Sequence, residues 1–158
     1  MQAVKEEDME KSEDIQTLIG DLFASQNLAV LATHSQKQPY ASLVAFAATD
    51  DLKYLYFVTP KTTRKFANLA INPQVAVLIN SSTNQTADFH RAISVTAVGE
   101  ALEITAADRK QLLQLYLARH PYLAEFAQSP TSALVRVTVR SYYLVKNFQK
   151  VFELHLSQ

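Results

Sequence analysis

The spacing of apolar positions changes several times along the chain, and each change marks a new element. Ile15, Leu18, Ile19, Leu22 and Phe23 recur at i, i+3, i+4, i+7 and i+8, the stripe of a helix that Ser12 is placed to cap and Asn27 to end. Residues 1–11 before it are polar and expected to fray, so 1–14 reads as a flexible N-terminal segment and 15–158 as one domain. From Leu28 the pattern becomes extended: strands at 28–33, 40–48 and 53–59, joined by a polar loop over 34–39 and a turn at Thr49-Asp50-Asp51. Phe66, Leu69 and Ala70 return to helical spacing until Asn72-Pro73 stops the run. The stretch 74–79 is a strand apolar on both faces, and 80–88 is a polar, irregular loop with the composition of a disordered segment. A long strand over 92–104 follows. Thr105 and Asp108 resemble a capping box opening a helix that carries Leu112, Leu113, Tyr116 and Leu117 and stops at Pro121. Two last strands, 133–146 and 149–156, meet so tightly at Asn147 that they should form a hairpin.

Six or seven strands with short connections and three intervening helices predict a mainly β (α+β) fold, an antiparallel Greek-key barrel with short flanking helices rather than a parallel α/β sheet. A small barrel needs an apolar interior only. The runs 28–32, 43–48 and 74–79 are apolar on both faces, which predicts a second buried surface, a dimer interface.

Composition removes several classes of function. The chain has 158 residues and is 48% hydrophobic, enough for one real core. Fifteen basic residues balance fifteen acidic ones, against the basic excess expected of a nucleic-acid protein. Cysteine is absent, which excludes thiolate chemistry and cysteine-ligated metals. His34, His90, His120 and His155 never pair at i, i+3 or i, i+4, so no helix-borne metal site is expected; His120, at a helix end, reads as structural. With no run near the roughly 18 apolar residues of a membrane span and a charged N-terminal stretch, the expectation is a soluble, cytoplasmic protein. Gly20 and Gly99 are the only glycines, so neither a phosphate-binding P-loop nor a dinucleotide fingerprint is present.

The chemistry concentrates at 54–65, where an apolar strand runs into hydroxyls and cations. Thr62 or Thr63 is placed as N-cap, which puts Arg64 and Lys65 in the first helical turn, with Lys61 just before it. Cations there oppose the positive end of the helix dipole. Together with free backbone N–H groups and the hydroxyls they suit an anion, a phosphate above all; a solvated basic first turn is the equal alternative.

The run Leu31-Ala32-Thr33, Pro39-Tyr40-Ala41-Ser42-Leu43-Val44-Ala45-Phe46, Leu55-Tyr56-Phe57-Val58-Thr59, Thr63-Arg64-Lys65, Asn72-Pro73-Gln74-Val75-Ala76-Val77 and Ile93 to Ala101 resembles, in order and spacing, the pyridoxamine 5′-phosphate oxidase-like, FMN-binding split-barrel family. The resemblance covers about residues 15–104. Tyr142 to Phe152 is similar to the closing hairpin of the haem-utilisation branch of that superfamily, with Asn147 and Gln149 where the pattern has glycines. The sequence ends at Gln158 without the tail that carries a haem-ligating histidine there. The resemblance implies a homodimer with FMN at the subunit interface. It implies that Thr59, Thr63, Arg64 and Lys65, with Lys61 and Thr62 adjacent, hold the FMN phosphate. It further implies that the backbone of Ser42, Leu43, Val44 and Ala45 lies along the ring, and that Ser94 faces the flavin. The family oxidase also uses a Trp and a C-terminal Arg, and this chain has no Trp. The expected function is therefore an FMN-binding flavoprotein, a small oxidoreductase of undefined substrate and catalytic residues. The alternatives are a haem-binding protein of the same fold and a non-catalytic dimeric flavin binder. Membrane and nucleic-acid partners are not expected.

Overall fold

Strong helix formers fill the N-terminal stretch, and in the computed structural model, which describes residues 2–105 and 107–157, the first helix α1 spans Gln2–Ser25. Ser12 is thus in mid-helix instead of capping it, and residues 2–14 continue the element expected to begin after them; Met1 lies outside the described residues. Seven strands follow: β1 Leu28–Ser35, β2 Gln38–Ala48, β3 Tyr54–Pro60, β4 Gln74–Asn80, β5 Ile93–Glu103, β6 Ser132–Lys146 and β7 Lys150–His155. Helix α2, Arg64–Ile71, joins β3 to β4, and α3, Asp88–Arg91, joins β4 to β5. Helix α4, Arg109–Arg119, a 3₁₀ turn at Pro121–Leu123 and α5, Ala124–Gln128, join β5 to β6.

All strand pairings are antiparallel, in the order β3-β2-β1-β4-β5-β6-β7. Strand β6 closes the barrel and also splits it. Along one edge it pairs with β5; along the other its first half, Ser132–Thr138, pairs with β3 and its second half, Ser141–Lys146, with β7. The bulge at Val98/Gly99 bends β5 where β6 changes partners. An added Cβ on Gly99 would meet the Thr138 carbonyl, so only glycine lets the two backbones approach there.

Leu31, Val77, Ala97 and Tyr142 face the interior in one register row, and each is at most 2% exposed. Helix α1 closes one mouth through Ile19, Leu22 and Phe23, whose ring meets Phe46 edge-on at 5.5 Å. Helix α2 closes the other with Leu69 and with Asn68, whose buried Nδ2 donates to Thr33 Oγ1 at 3.0 Å. A second apolar cluster, Tyr56, Val58, Leu113, Tyr116 and Ala127 among it, lies on the outside of β2, β3 and β6 beneath α4 and α5.

Three details differ from the sequence reading. The loop expected over 34–39 is a two-residue turn, because Gln36 and Lys37 take positive φ (51° and 64°) and let the strands pair down to Ser35 and Gln38. The segment 80–88 is ordered by Asp88: its carboxylate accepts from Thr83 N, Thr83 Oγ1 and Gln85 N, which builds α3. The Thr83 N–H, ahead of the Thr83 hydroxyl and the Gln85 N–H, holds the Asp88 carboxyl below its usual range. The capping box does not form; Asp108 precedes α4 without a side-chain cap.

Candidate functional site

At the α2 mouth, Thr63 is the N-cap, in extended backbone, and its Oγ1 accepts from Phe66 N at 3.4 Å. The same hydroxyl donates to Pro60 O at 3.0 Å and lies 2.9 Å from Thr59 Oγ1. Thr59 is 1% exposed, so it braces Thr63 from inside the barrel instead of presenting its hydroxyl to solvent. Thr62 and Arg64 are exposed and Lys65 is half-buried, with no acidic residue in the first turn of α2. Two cations therefore sit at the positive end of an eight-residue helix, where Thr63 caps Phe66 N and the N–H groups of Arg64 and Lys65 have no partner among the described residues. Lys61 is differently placed: its Nζ pairs with Glu103 at 3.5 Å.

The guanidinium of Arg64 lies over the ring of Tyr40, 5.7 Å from its centroid, which ties the start of α2 to the start of β2. Tyr40 carries no signal of its own in the sequence beyond its place in the Pro39–Phe46 motif, two residues before Ser42. Strand β2 pairs with β1 along Gln38–Ala45 but with β3 only over Phe46–Ala48. Between Tyr40 and Ala45 the β3-side edge of β2 is thus vacated. Phe46 N donates to Asn27 O on the β1 side, so by antiparallel alternation the N–H and C=O of Leu43 point to that open edge. The side chains alternate too. Ser42 and Val44 turn inward opposite Leu31 and Ala29, while Leu43, 62% exposed, and Ala45 turn outward. Ser42 Oγ is buried and, among the described residues, the one buried side-chain oxygen without a hydrogen-bond partner.

Tyr116 of α4 and His120, its C-cap, fasten the far end of this edge. Tyr116 OH donates to Ala45 O at 3.2 Å, and His120 Nε2 lies 2.6 Å from Phe46 O. Both are buried, their rings 5.0 Å apart, and burial pushes the Tyr116 hydroxyl up to about 12. His120 is structural, as its position at a helix end suggested, but through a buried contact to β2 that no local pattern displays.

Ser94 is not brought to this place within one chain. It sits on the outer face of β5 at the α1 end, opposite Asn80 and Val145. Strands β1 and β4 intervene between β5 and β2, three strand spacings or about 14 Å. Between them lies an outer face of Val30, Ala32, Leu43, Ala76, Leu78 and Val98, in register across β2, β1, β4 and β5. Leu28 and Leu43 are 52% and 62% exposed on it.

The arrangement can hold an anion at the start of α2 and lay a flat apolar group along the open edge of β2. Among the described residues no nucleophile–base pair lies there, and the one serine–histidine contact, Ser141 Oγ to His155 Nδ1 at 2.7 Å with Glu153 at 3.0 Å from Nε2, is on the β6–β7 hairpin.

The family profile described as pyridoxamine 5′-phosphate oxidase matches residues 15–146. Solved structures share the fold. Campylobacter jejuni ChuZ superposes with a TM-score of 0.77 at 15% identity, over 90% of this chain and 60% of its own. A FAD-binding protein from Mesorhizobium loti gives 0.63 at 17%, over 78% and 87%. A putative pyridoxamine 5′-phosphate oxidase from Listeria innocua gives 0.62 at 16%, over 89% and 98%. No curated protein matches by sequence. Among the described residues, no group of three or more His, Cys, Asp or Glu could hold a metal, and no helix is long and apolar enough to cross a membrane.

Proposed function

The chain belongs to the pyridoxamine 5′-phosphate oxidase family, and we propose that it is a homodimeric FMN-binding protein acting as a small oxidoreductase. The observation that carries the reading is the vacated edge of β2 running from the cations at the start of α2. FMN has the matching shape, a dianionic phosphate at one end and a flat, largely apolar ring at the other. Arg64, Lys65, Thr62 and the first N–H groups of α2 hold the phosphate, and Thr59 and Thr63 fix the turn that presents them. Leu43 supplies N–H and C=O to the polar edge of the ring, and the buried, unpartnered Ser42 hydroxyl turns to the bound group as its missing partner. Lys61 contributes long-range charge only, because Glu103 takes its ammonium.

FMN, when bound, supplies the transfer of a hydride or of single electrons. The protein's part is to bind, orient and shield it. The apolar outer face of β2, β1, β4 and β5 meets the same face of a second copy, which covers the open edge and brings the partner's Ser94 toward the ring. The two small alanines Ala32 and Ala76 at its centre allow close approach of the sheets.

An absorption spectrum of the protein as purified, followed by titration of FMN with fluorescence quenching, tests this reading. A yellow protein with flavin absorption bands, or saturable quenching by added FMN, is expected. A colourless protein that leaves FMN fluorescence unchanged refutes it.

A further inference from the structure

The turn after β3, the end of β5, the start of α4, the end of α5 and the start of β6 meet around a cleft of about 310 Å³. Lys61, Glu103, Arg109, Gln128 and Ser132 are their respective contributions to its lining. Two backbone bonds hold these turns together: Lys61 N donates to Thr131 O at 2.9 Å, and Ser132 N to Ser129 O at 3.0 Å. Ser132 is 4% exposed. Ala133 and Val135 face the barrel interior and Leu134 the outer cluster, so by strand alternation the Ser132 side chain turns outward, toward the cleft it lines. The neighbouring hydroxyls of Ser129 and Thr131 bond each other at 2.8 Å, and that of Ser132 has no partner among the described residues. Arg109, half-buried on the opposite wall, is in no salt bridge among them, whereas Lys61 pairs with Glu103 at 3.5 Å. Two cations against one carboxylate leave the lining one positive charge in excess. Helix α4, eleven residues long, also begins here without a side-chain cap, which adds its positive end; Asp108 before it is exposed and does not line the cleft.

We propose that this cleft binds a small hydroxylated organic anion, an oxyanion head on a sugar-like body, with the head held by Arg109 and the Ser132 hydroxyl. The guanidinium fork matches a phosphate or a carboxylate, and the buried hydroxyl gains the partner it lacks. A bare oxyanion is too small to fill the space. Thr105, Gln128 and Ser129 offer hydroxyl and amide partners to a polar body, and only Ile104 and Pro130 are apolar. The Lys61–Glu103 pair serves the same body, its ammonium donating to ligand hydroxyls and its carboxylate accepting from them. Binding here does not rest on the flavin reading, because Arg109 and Ser132 belong to neither the phosphate cluster of α2 nor the open edge of β2.

The probes are glucose 6-phosphate and gluconate, with glucose as the neutral analogue, titrated into the full chain and followed by amide shifts in nitrogen–proton correlation spectra. Saturable shifts at Ser129, Thr131 and Ser132 are expected with at least one of the anions. Affinity is expected to fall at least fivefold in Arg109→Gln and in Ser132→Ala, and glucose to bind at least tenfold more weakly. Both substitutions spare the fold: Gln is a good helix former, and Ala removes only a hydroxyl. No saturable shift at these amides with either anion, or wild-type affinity in both variants, overturns the proposal; equal affinity for glucose overturns the anionic class. The tighter of the two anions assigns the head as phosphate or carboxylate. Because a phosphate also suits the start of α2, the titrations are repeated on the double variant Arg64→Ala, Lys65→Ala. Unchanged shifts at Ser129, Thr131 and Ser132 keep the anion in the cleft, whereas their loss places it on α2 and overturns the proposal. A wild type that gives these shifts but does not bind FMN refutes only the flavin reading.

Discussion

Thr63 does several things with one hydroxyl: it caps α2, bonds Pro60 O and leans on Thr59. Losing it loosens the turn, whereas the neighbouring cations contribute charge and little to the fold. Arg64 and Lys65 in fact oppose the helix dipole, each at a cost of about 0.3–1 kcal/mol. Replacing both with Ala is therefore expected to leave the thermal midpoint unchanged or slightly raised, while weakening FMN binding more than about tenfold, roughly 1.4 kcal/mol. Scanning calorimetry and a flavin quenching titration on the double variant check the two halves separately. Gly99 is the opposite kind of residue, with no ligand role and no steric freedom. Gly99→Ala forces a methyl against the Thr138 carbonyl at the β5 bulge. A loss of about 1–3 kcal/mol is expected, read as a lower urea midpoint at unchanged slope. Glycine's place at a close backbone approach was not legible in the sequence, because the clash comes from a residue 39 positions away.

Among the elements, the cap of α2 and the apolar runs of the strands were legible locally: Thr63, Arg64 and Lys65 stand where spacing put them. The segment over 80–91 was not. Its residues are polar and aperiodic, and its order comes from one carboxylate, Asp88, closing a loop onto Thr83 and Gln85. Because those bonds lower the folded Asp88 carboxyl below the ordinary 3.8, their stabilisation is present above that value and is lost as pH falls through the lower, folded one. Acidification below about pH 4 is thus expected to release α3 before the barrel unfolds. Asp88→Asn, which keeps a carbonyl acceptor but loses the charge, should show faster amide exchange at Thr83 and Gln85 at neutral pH, with β4 and β5 protection unchanged. Equal exchange in the variant would assign the order of this loop to something other than the carboxylate. Helix α5 and the His120 contact escaped a local reading for the same reason. Ala127 is apolar but lies in a short helix ordered by packing on the outside of the barrel.

For the whole molecule, the deciding feature is the outer face that α4 and α5 leave uncovered. On the far side of the barrel those helices bury Tyr56, Val58 and Leu134; over β1 and β4 no described element does the same for Leu28, Val30 and Leu78. Exposed Leu28 lies on this face but outside the proposed flavin contacts. Leu28→Glu is expected to give a folded monomer in light scattering, with FMN affinity reduced at least tenfold because the second half of the site is gone. A variant that stays dimeric would overturn this face as the interface, and a monomer with full affinity would place the site within one chain.

The sequence by itself determined the strands, the helix start at Thr63 and the excess of apolar faces, since hydrophobic period and capping act over a few neighbours. It also carried the ordered motifs that mark the family. Only the tertiary structure decided that β3 leaves β2 after Phe57, opening an edge beside Arg64 and Tyr40, and that Ser94 lies across the barrel from it. Those relations are set by barrel closure, in which β6 divides its edge between β3 and β7. Pairings between residues far apart in the chain leave no periodic trace in either partner alone.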